Sequence, residues 1–152
     1  MADEHELSIE LRQIEGLAFA ARAGSNHWVA MDGPADFQGF GAGTRPMEML
    51  LMSLAGCTGM DVVSILHKMR APLTDFRMQT RGVRATEHPK VFTEIEIVYH
   101  FYGDVPVKQV ERAIELSQDR YCSISAMLKP TVKLTHRYEI HRPTESPPPE
   151  TA

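Results

Sequence analysis

The two cysteines of this 152-residue chain, Cys57 and Cys122, are the side chains best suited to covalent chemistry. A cysteine attacks as its thiolate, and at an unperturbed pKa of about 8.5 only a few per cent of a thiol is ionised near neutral pH. Two thiols are too few for a four-cysteine zinc site, and a reducing compartment keeps them from forming a permanent disulfide. The sequence therefore allows either two inert core thiols or a reactive pair.

Cys57 lies about three turns inside a predicted helix, with Gly56 and Gly59 beside it. Each glycine costs a helix interior about 1 kcal/mol relative to alanine, so we expect compensation from the close approach of another backbone or from space for a small ligand. The alternative is tight helix packing with Cys57 as a small apolar residue. Asp61 follows on the same helix face and raises the pKa of the thiol unless a cation lies nearby.

Cys122 directly precedes a predicted short helix over residues 123–128. A helix N-terminus lowers the pKa of a nearby thiol, whereas Cys57 is too far from its own helix start to gain from the dipole. Local physics alone therefore favours Cys122 as the more acidic thiol. The alternative is an ordinary buried cysteine, because free cysteine is among the most buried residue types.

The elements that must position the thiols follow from apolar periodicity and from the placement of proline and glycine. Pro46 opens a helix that runs to about Met69, and its first half is apolar almost all round, which predicts burial on several sides. A second, amphipathic helix is predicted over residues 104–120. The predicted strands cover residues 6–14, 17–22, 27–31, 73–85, 91–102 and 132–140.

This order of strands, long helix, strands, helices and strand predicts an α+β fold rather than an alternating α/β fold. The strand over residues 91–102 has one polar face, as in an antiparallel sheet that is solvated on one side. Residues 32–44 are rich in glycine and predict a loop. We expect a single domain over residues 1–142, followed by a proline-rich disordered tail over residues 143–152.

Charge and composition exclude several classes of function. The formal net charge of −4 argues against nucleic acid or an anionic membrane surface as a partner. No apolar run reaches the roughly 18 residues of a membrane span, and the first residues lack the apolar segment of a signal peptide, so we expect a cytoplasmic protein. The seven histidines are scattered without i, i+4 spacing, and we expect no metal and no bound cofactor.

Two segments resemble signatures of the OsmC/Ohr superfamily. Gly43-Thr44-Arg45-Pro46-Met47-Glu48-Met49-Leu50-Leu51, followed by Leu54-Ala55-Gly56-Cys57, is similar to the family's Gly-Thr-x-Pro-Glu segment and the helix with Ala-x-Cys that it leads into. Tyr121-Cys122-Ser123-Ile124-Ser125 resembles the second cysteine segment, and the resemblance covers roughly residues 6–140. It implies an α+β fold with antiparallel sheets around a long central helix. It also implies an intertwined homodimer with active sites at the subunit interface.

The resemblance further implies thiol-dependent reduction of an organic hydroperoxide or H2O2 in oxidative-stress defence. Cys57 would be the peroxidatic cysteine, which becomes a sulfenic acid, and Cys122 the resolving cysteine, which condenses with it to a disulfide. An external dithiol, in the family a dihydrolipoyl group, would reduce the disulfide again. This assignment reverses the order that local thiol acidity favours.

The sequence departs from the family at the residue after Pro46, where relatives carry a glutamate that holds a catalytic arginine. Met47 occupies that position, and Glu48 follows it. Nine residues separate Glu48 from Cys57 and place the two about 180° apart on the helix, so Glu48 could hold an arginine over this sulfur only across a dimer. Otherwise Glu48 is a first-turn carboxylate that the helix dipole favours.

The arginine itself has two candidates. Arg22, in Ala21-Arg22-Ala23-Gly24, best resembles the family's catalytic arginine, and Arg45 is the second candidate. The alternative for each is a plain surface charge. The departure at Met47 therefore motivates a second hypothesis: an OsmC-like protein with weak or no catalysis that binds a small ligand or senses redox state.

Overall fold

The computed structural model describes residues 5–143 of the chain. The proline-rich tail that the sequence predicts to be disordered lies outside the described residues, except for Pro143. The chain divides into two compact units, one up to Leu50 and one from Leu51 onward, and each is described by itself. The single domain over residues 1–142 stays a prediction.

The first unit contains an antiparallel sheet close to the predicted positions. β1 (Ile9–Glu15), β2 (Ala18–Ala23) and β3 (Trp28–Met31) pair in this order. Apolar side chains of β1 remain on the surface, with Ile9 and Leu11 67% and 50% exposed. The sheet therefore leaves apolar area uncovered in a single chain.

The glycine-rich loop after β3 is organised around one buried carboxylate. Asp32 is 2% exposed and accepts hydrogen bonds from the backbone N–H groups of Ala42, Phe40 and Gly33. These donors, Ala42 foremost, lower the pKa of Asp32. Gly39 packs so closely on Gly33 that a side chain at residue 39 would collide with its backbone. The predicted loop is thus a defined turn.

The longest element is α1 (Pro46–Lys68), which starts at the predicted proline. It is followed by Arg70 in the left-handed conformation, with a φ of 55°, just ahead of Pro72. The sequence predicts burial of α1 on several sides, but in a single chain the helix is buried on one side only. Met52 and Met60 are 60% and 77% exposed. The buried residues of α1 form one stripe: Leu54, Thr58, Gly59, Val62 and Leu66.

The second unit contains a mixed sheet in the order β4–β5–β6, formed by β4 (Leu73–Arg84), β5 (Phe92–Gly103) and β6 (Lys133–His141). β4 and β5 pair antiparallel as predicted, whereas β6 runs parallel to β5. This corrects the prediction of purely antiparallel sheets. The physical reason is the connection between the two strands. The helical segments between β5 and β6 return the chain to the end of the sheet at which β5 begins, so β6 runs in the same direction as β5.

The predicted helix over residues 104–120 is shorter and irregular. α2 (Val107–Leu116) is followed by a π-helical turn (Ser117–Tyr121), and α3 (Ser123–Leu128) begins after Cys122 as predicted. A π-helical turn shifts the helix register and is frequent at functional sites. Here it directs Ser117 and Gln118 into the interior, where both are buried.

β5 is buried more fully than the sequence predicts. Glu96 keeps part of the predicted polar face near solvent, but His100 and Tyr102 on the same face are 7% and 8% exposed. The flanking strands supply the cover, because the Arg77 guanidinium lies over the Tyr102 ring and the His141 ring stacks on it. The polar face is therefore solvated only along part of the strand.

By length and composition alone, α1 could cross a membrane, which corrects the expectation that no segment could. The core helix of a soluble protein passes the same test. Gly59 of α1 lies against Met78 and Phe76 of β4, so the helix packs directly on the sheet of the second unit. We therefore interpret α1 as a helix that packs on this sheet rather than as a membrane span.

Candidate active site

The fold of the second unit brings the two cysteines together. The Sγ atoms of Cys57 and Cys122 and a carboxylate oxygen of Asp61 all lie within 4.8 Å of one another. Cys57 is half-buried, whereas Cys122 is only 2% exposed. A disulfide requires an S–S distance of about 2.0 Å, so the pair is reduced here and needs only a local movement to join.

Cys122 has the helix-start position that the sequence predicts. Its extended backbone places the side chain at the N-cap of α3, where Sγ accepts from the Ser125 backbone N–H at 3.4 Å. The Ser125 hydroxyl donates to the same sulfur at 3.2 Å. Two donors therefore fix the position of this sulfur.

Cys57 has a different electrostatic environment. Burial raises the pKa of the Cys57 thiol, and the adjacent Cys122 sulfur and Asp61 carboxylate raise it further, against one backbone N–H of Ile124 that lowers it. The groups with the largest effects on the pKa of this thiol include no arginine or lysine. In this environment the Cys57 thiol is therefore mostly protonated at neutral pH.

A buried hydrogen-bond network leads from β5 to Asp61. Ser117 Oγ donates to Asp61 at 3.0 Å, so it accepts from the Thr58 hydroxyl, 2.8 Å away. Since a hydroxyl donates only once, Thr58 Oγ1 in turn accepts from the Tyr99 hydroxyl at 2.7 Å. Gln118 Nε2 donates to Thr58 Oγ1 at 3.1 Å and to the Tyr99 oxygen at 2.8 Å. The three O–H bonds point along one direction and fix the Asp61 carboxylate beside the thiols.

Sequence reasoning missed this network, although signals for it exist. Thr58 follows Cys57 directly, and polar Ser117 and Gln118 interrupt the inward face of a helix pattern. Burial raises the pKa of Tyr99, so its hydroxyl stays protonated and keeps the donor role. The π-helical turn, which periodicity does not reveal, brings Ser117 to Asp61 and Gln118 to Thr58 and Tyr99.

The other predicted site residues lie in the first unit. Arg22 on β2 donates to Glu10 at 2.9 Å and to Asn26 at 3.2 Å, and its guanidinium lies 5.0 Å above the Trp28 ring. These contacts hold its side chain on the surface of the β1–β3 sheet. Within this unit Arg22 therefore has the contacts of a surface ion pair.

Glu48 does hold an arginine, but the arginine is Arg45. The carboxylate accepts from the Arg45 backbone N–H at 3.0 Å and from its guanidinium at 3.2 Å. A glutamate in the first helical turn that reaches back to the preceding N–H is half of a capping box. The backbone N–H of Arg45 and its guanidinium lower the pKa of Glu48. Glu48 thus stabilises the start of α1.

Comparisons with known proteins agree with this architecture. The family model described as OsmC-like protein matches residues 39–137. Protein YhfA of Escherichia coli is 36% identical over 135 residues, which cover 88% of this chain and 98% of that protein. A hypothetical protein from Aquifex aeolicus has a crystal structure with a TM-score of 0.81 and 33% identity, covering 91% of this chain and 98% of that chain.

A more distant structure shares the fold. The organic hydroperoxide resistance protein OsmC from Legionella pneumophila has a TM-score of 0.69 and 14% identity, covering 90% of this chain and 98% of that chain. At this identity the likeness concerns the fold.

Proposed function

The chain belongs to the OsmC-like family, and on this premise we propose that it reduces organic hydroperoxides in oxidative-stress defence. The observation that carries the proposal is the pair of reduced sulfurs, Cys57 and Cys122, within 4.8 Å of each other. The structural neighbour from Legionella pneumophila, an organic hydroperoxide resistance protein, supports the substrate class. The OsmC/Ohr family as a whole is linked to peroxide and osmotic stress.

The chemistry has three balanced steps. The Cys57 thiolate attacks one oxygen of the hydroperoxide, the O–O bond breaks, and the products are Cys57 sulfenic acid and an alcohol, which takes up a proton. The Cys122 thiol then attacks the sulfenic sulfur, which forms a disulfide and releases water. An external dithiol, such as a dihydrolipoyl group, reduces the disulfide and leaves as a cyclic disulfide. No bound cofactor takes part in these steps.

The exposure of the thiols supports Cys57 as the attacking thiol, and a nearby cavity supports an organic substrate. Cys57 is partly exposed, whereas Cys122 is buried beneath its two donors. A cavity of about 350 Å3 opens beside Asp61, and apolar side chains such as Ile65, Met69 and Leu116 line part of it. An alkyl group of a hydroperoxide would bury apolar area there, which H2O2 cannot do.

The attacking thiol needs a cation, and the resemblance assigns this role to Arg22, with Arg45 as the second candidate. Both guanidinium groups are already oriented by carboxylates, Arg22 by Glu10 and Arg45 by Glu48. Each carboxylate therefore fixes the orientation of its arginine. The carboxylate of Glu48 would then act through Arg45 rather than on Cys57 itself.

A second candidate function is redox sensing by the same thiols without efficient turnover. The observation that favours it is the Asp61 carboxylate within 4.8 Å of both sulfurs, which together with burial raises the pKa of Cys57. A mostly protonated thiol reacts slowly with peroxide, which suits a sensor better than a peroxidase. A peroxidase turns over repeatedly with a reductant, whereas a sensor does not, so one experiment distinguishes the two functions.

In that experiment, reduced protein is mixed with one equivalent of cumene hydroperoxide and then supplied with dihydrolipoamide. We expect both thiols to be lost together, a mass decrease of two hydrogens for an intramolecular disulfide, and repeated turnover with the dithiol. H2O2 should react more slowly than the organic peroxide. Oxidation without turnover would favour the sensor, and unreactive thiols would eliminate both functions.

We further propose that two copies form a cytoplasmic homodimer through α1. A groove of about 710 Å3 lies between α1 and β4, where Gly56, Met60 and Val63 of α1 and Met78 of β4 line it. A side chain at Gly56 would meet no atom within 4 Å, so this glycine leaves room that its own chain does not use. A second copy of α1 would fill this space and cover the methionines. A reducing cytoplasm keeps the free thiols available.

The dimer can be tested with Met60→Lys. Met60 is 77% exposed in a single chain, so lysine there should leave the subunit folded but place a charge in the proposed interface. We expect light scattering to give twice the chain mass for the native protein and a shift toward the single-chain mass for the variant. Val91→Lys, at a 53% exposed position, is the matched control and should stay dimeric. A native protein of single-chain mass would contradict the dimer.

A further inference from the structure

Two histidines and a glutamate converge on the face of the second sheet that lies opposite to α1. Tyr99 faces α1, because it bonds Thr58, so the next residue of β5, His100, points to the other face. Parallel pairing sets Glu139 of β6 beside His100, and His141 follows two residues later on the same face. His100 on β5 therefore meets two side chains of β6 that follow it by 39 and 41 residues in the sequence.

The three facing atoms have the spacing of metal ligands. His100 Nδ1 lies 3.1 Å from His141 Nε2 and 3.5 Å from Glu139 Oε2, and His141 Nε2 lies 3.8 Å from the same oxygen. A point equidistant from these three atoms lies about 2.0 Å from each, which is the length of Zn–N and Zn–O bonds. A cation could therefore bind close to the plane of these atoms with little side-chain movement.

The surroundings hold these ligands in place. Arg137 binds the other carboxylate oxygen, Glu139 Oε1, at 2.6 Å and leaves Oε2 directed at the imidazoles. The Tyr102 ring stacks on the His141 ring with 4.6 Å between centroids. His100 Nδ1 is the nitrogen that faces the group, whereas Nε2 of the same ring is buried and has no hydrogen-bond partner within residues 5–143. The side chain of Glu139 is 44% exposed, which leaves an approach from solvent.

We propose that His100, Glu139 and His141 form a binding site for a divalent transition metal of the Zn2+ class. Two imidazoles and one carboxylate are a ligand set that Zn2+ accepts, with a fourth position open to water. This site is separate from the thiol pair and goes beyond hydroperoxide reduction. It contradicts the expectation of no metal, which considered only histidines four residues apart on a helix and not histidines on neighbouring strands.

The test must remove the competing thiol ligands, because Cys57, Asp61 and Cys122 also present three ligand atoms within 4.8 Å of one another. In the full chain with both Cys57→Ser and Cys122→Ser, titration with Co2+ should give one equivalent of binding. Visible ligand-field absorption should appear without a thiolate-to-cobalt charge-transfer band. Zn2+ should displace the cobalt.

In the same background, Glu139→Gln and His141→Asn should each weaken Co2+ binding by more than roughly tenfold, since even substitution of groups that only orient metal ligands has effects of this size. Glutamine at the partly exposed residue 139 preserves shape, and circular dichroism checks that each variant is folded. His27→Asn, at an exposed histidine, is the matched control and should bind as before. No binding by the double serine variant, or equal binding by all these variants, would overturn the proposal.

Discussion

Replacing Cys57 by serine is expected to reduce hydroperoxide consumption to the background rate, while Cys122→Ser retains one oxidation per chain. Serine is nearly isosteric with cysteine but lacks a nucleophilic thiolate, so the first variant cannot attack the O–O bond. In the second variant Cys57 still attacks, but no thiol within 4.8 Å remains to resolve the sulfenic acid. Rapid-mixing kinetics with cumene hydroperoxide measures both outcomes.

The Cys122→Ser variant also gives a chemical signature. Its oxidised form should carry one additional oxygen and react with dimedone at Cys57, whereas the native protein should form the disulfide and resist dimedone. The position of Cys122 at the start of α3 favours the opposite order of attack. Dimedone labelling of Cys122 in the Cys57→Ser variant, with the first oxidation intact, would therefore reverse the assigned roles.

Periodicity and proline placement predict most elements of this fold because each signal is local. α1 starts at the predicted Pro46, and α3 covers the predicted range Ser123–Leu128. The order of strands and helices also leads to the correct fold class. What local signals do not contain is strand direction, which is why the parallel pairing of β5 with β6 was missed.

In the candidate site, too, local signals predict some features and miss those that depend on long-range packing. The residue types of Cys57 and Cys122 identify a candidate reactive pair, and their resemblance to two family segments predicts that they meet. The network through Tyr99 and Ser117 depends on a π-helical turn, and the meeting of His100 with His141 depends on parallel register. Both are long-range outcomes that hydrophobic periodicity does not encode.

Asp61→Asn should make Cys57 react faster near neutral pH. The Asp61 carboxylate is one of the groups that raise the pKa of Cys57, so its neutralisation lowers that pKa and increases the thiolate fraction at any pH below it. Asparagine keeps an oxygen that can accept from Ser117, which preserves the network. We expect a severalfold faster reaction with a small aromatic disulfide, measured in a Cys122→Ser background where Cys57 is the only thiol.

The pH dependence makes this prediction more specific. A thiolate of lower pKa is a weaker nucleophile, with a Brønsted coefficient of about 0.4–0.5, so the gain in thiolate outweighs the loss in nucleophilicity only below the pKa. The rate profiles of the two proteins should therefore cross, with the Asp61→Asn variant faster at low pH and slower at high pH. Asp104→Asn, at an exposed aspartate paired with Arg142, is the control and should match the parent. A variant slower at every pH would contradict this sign.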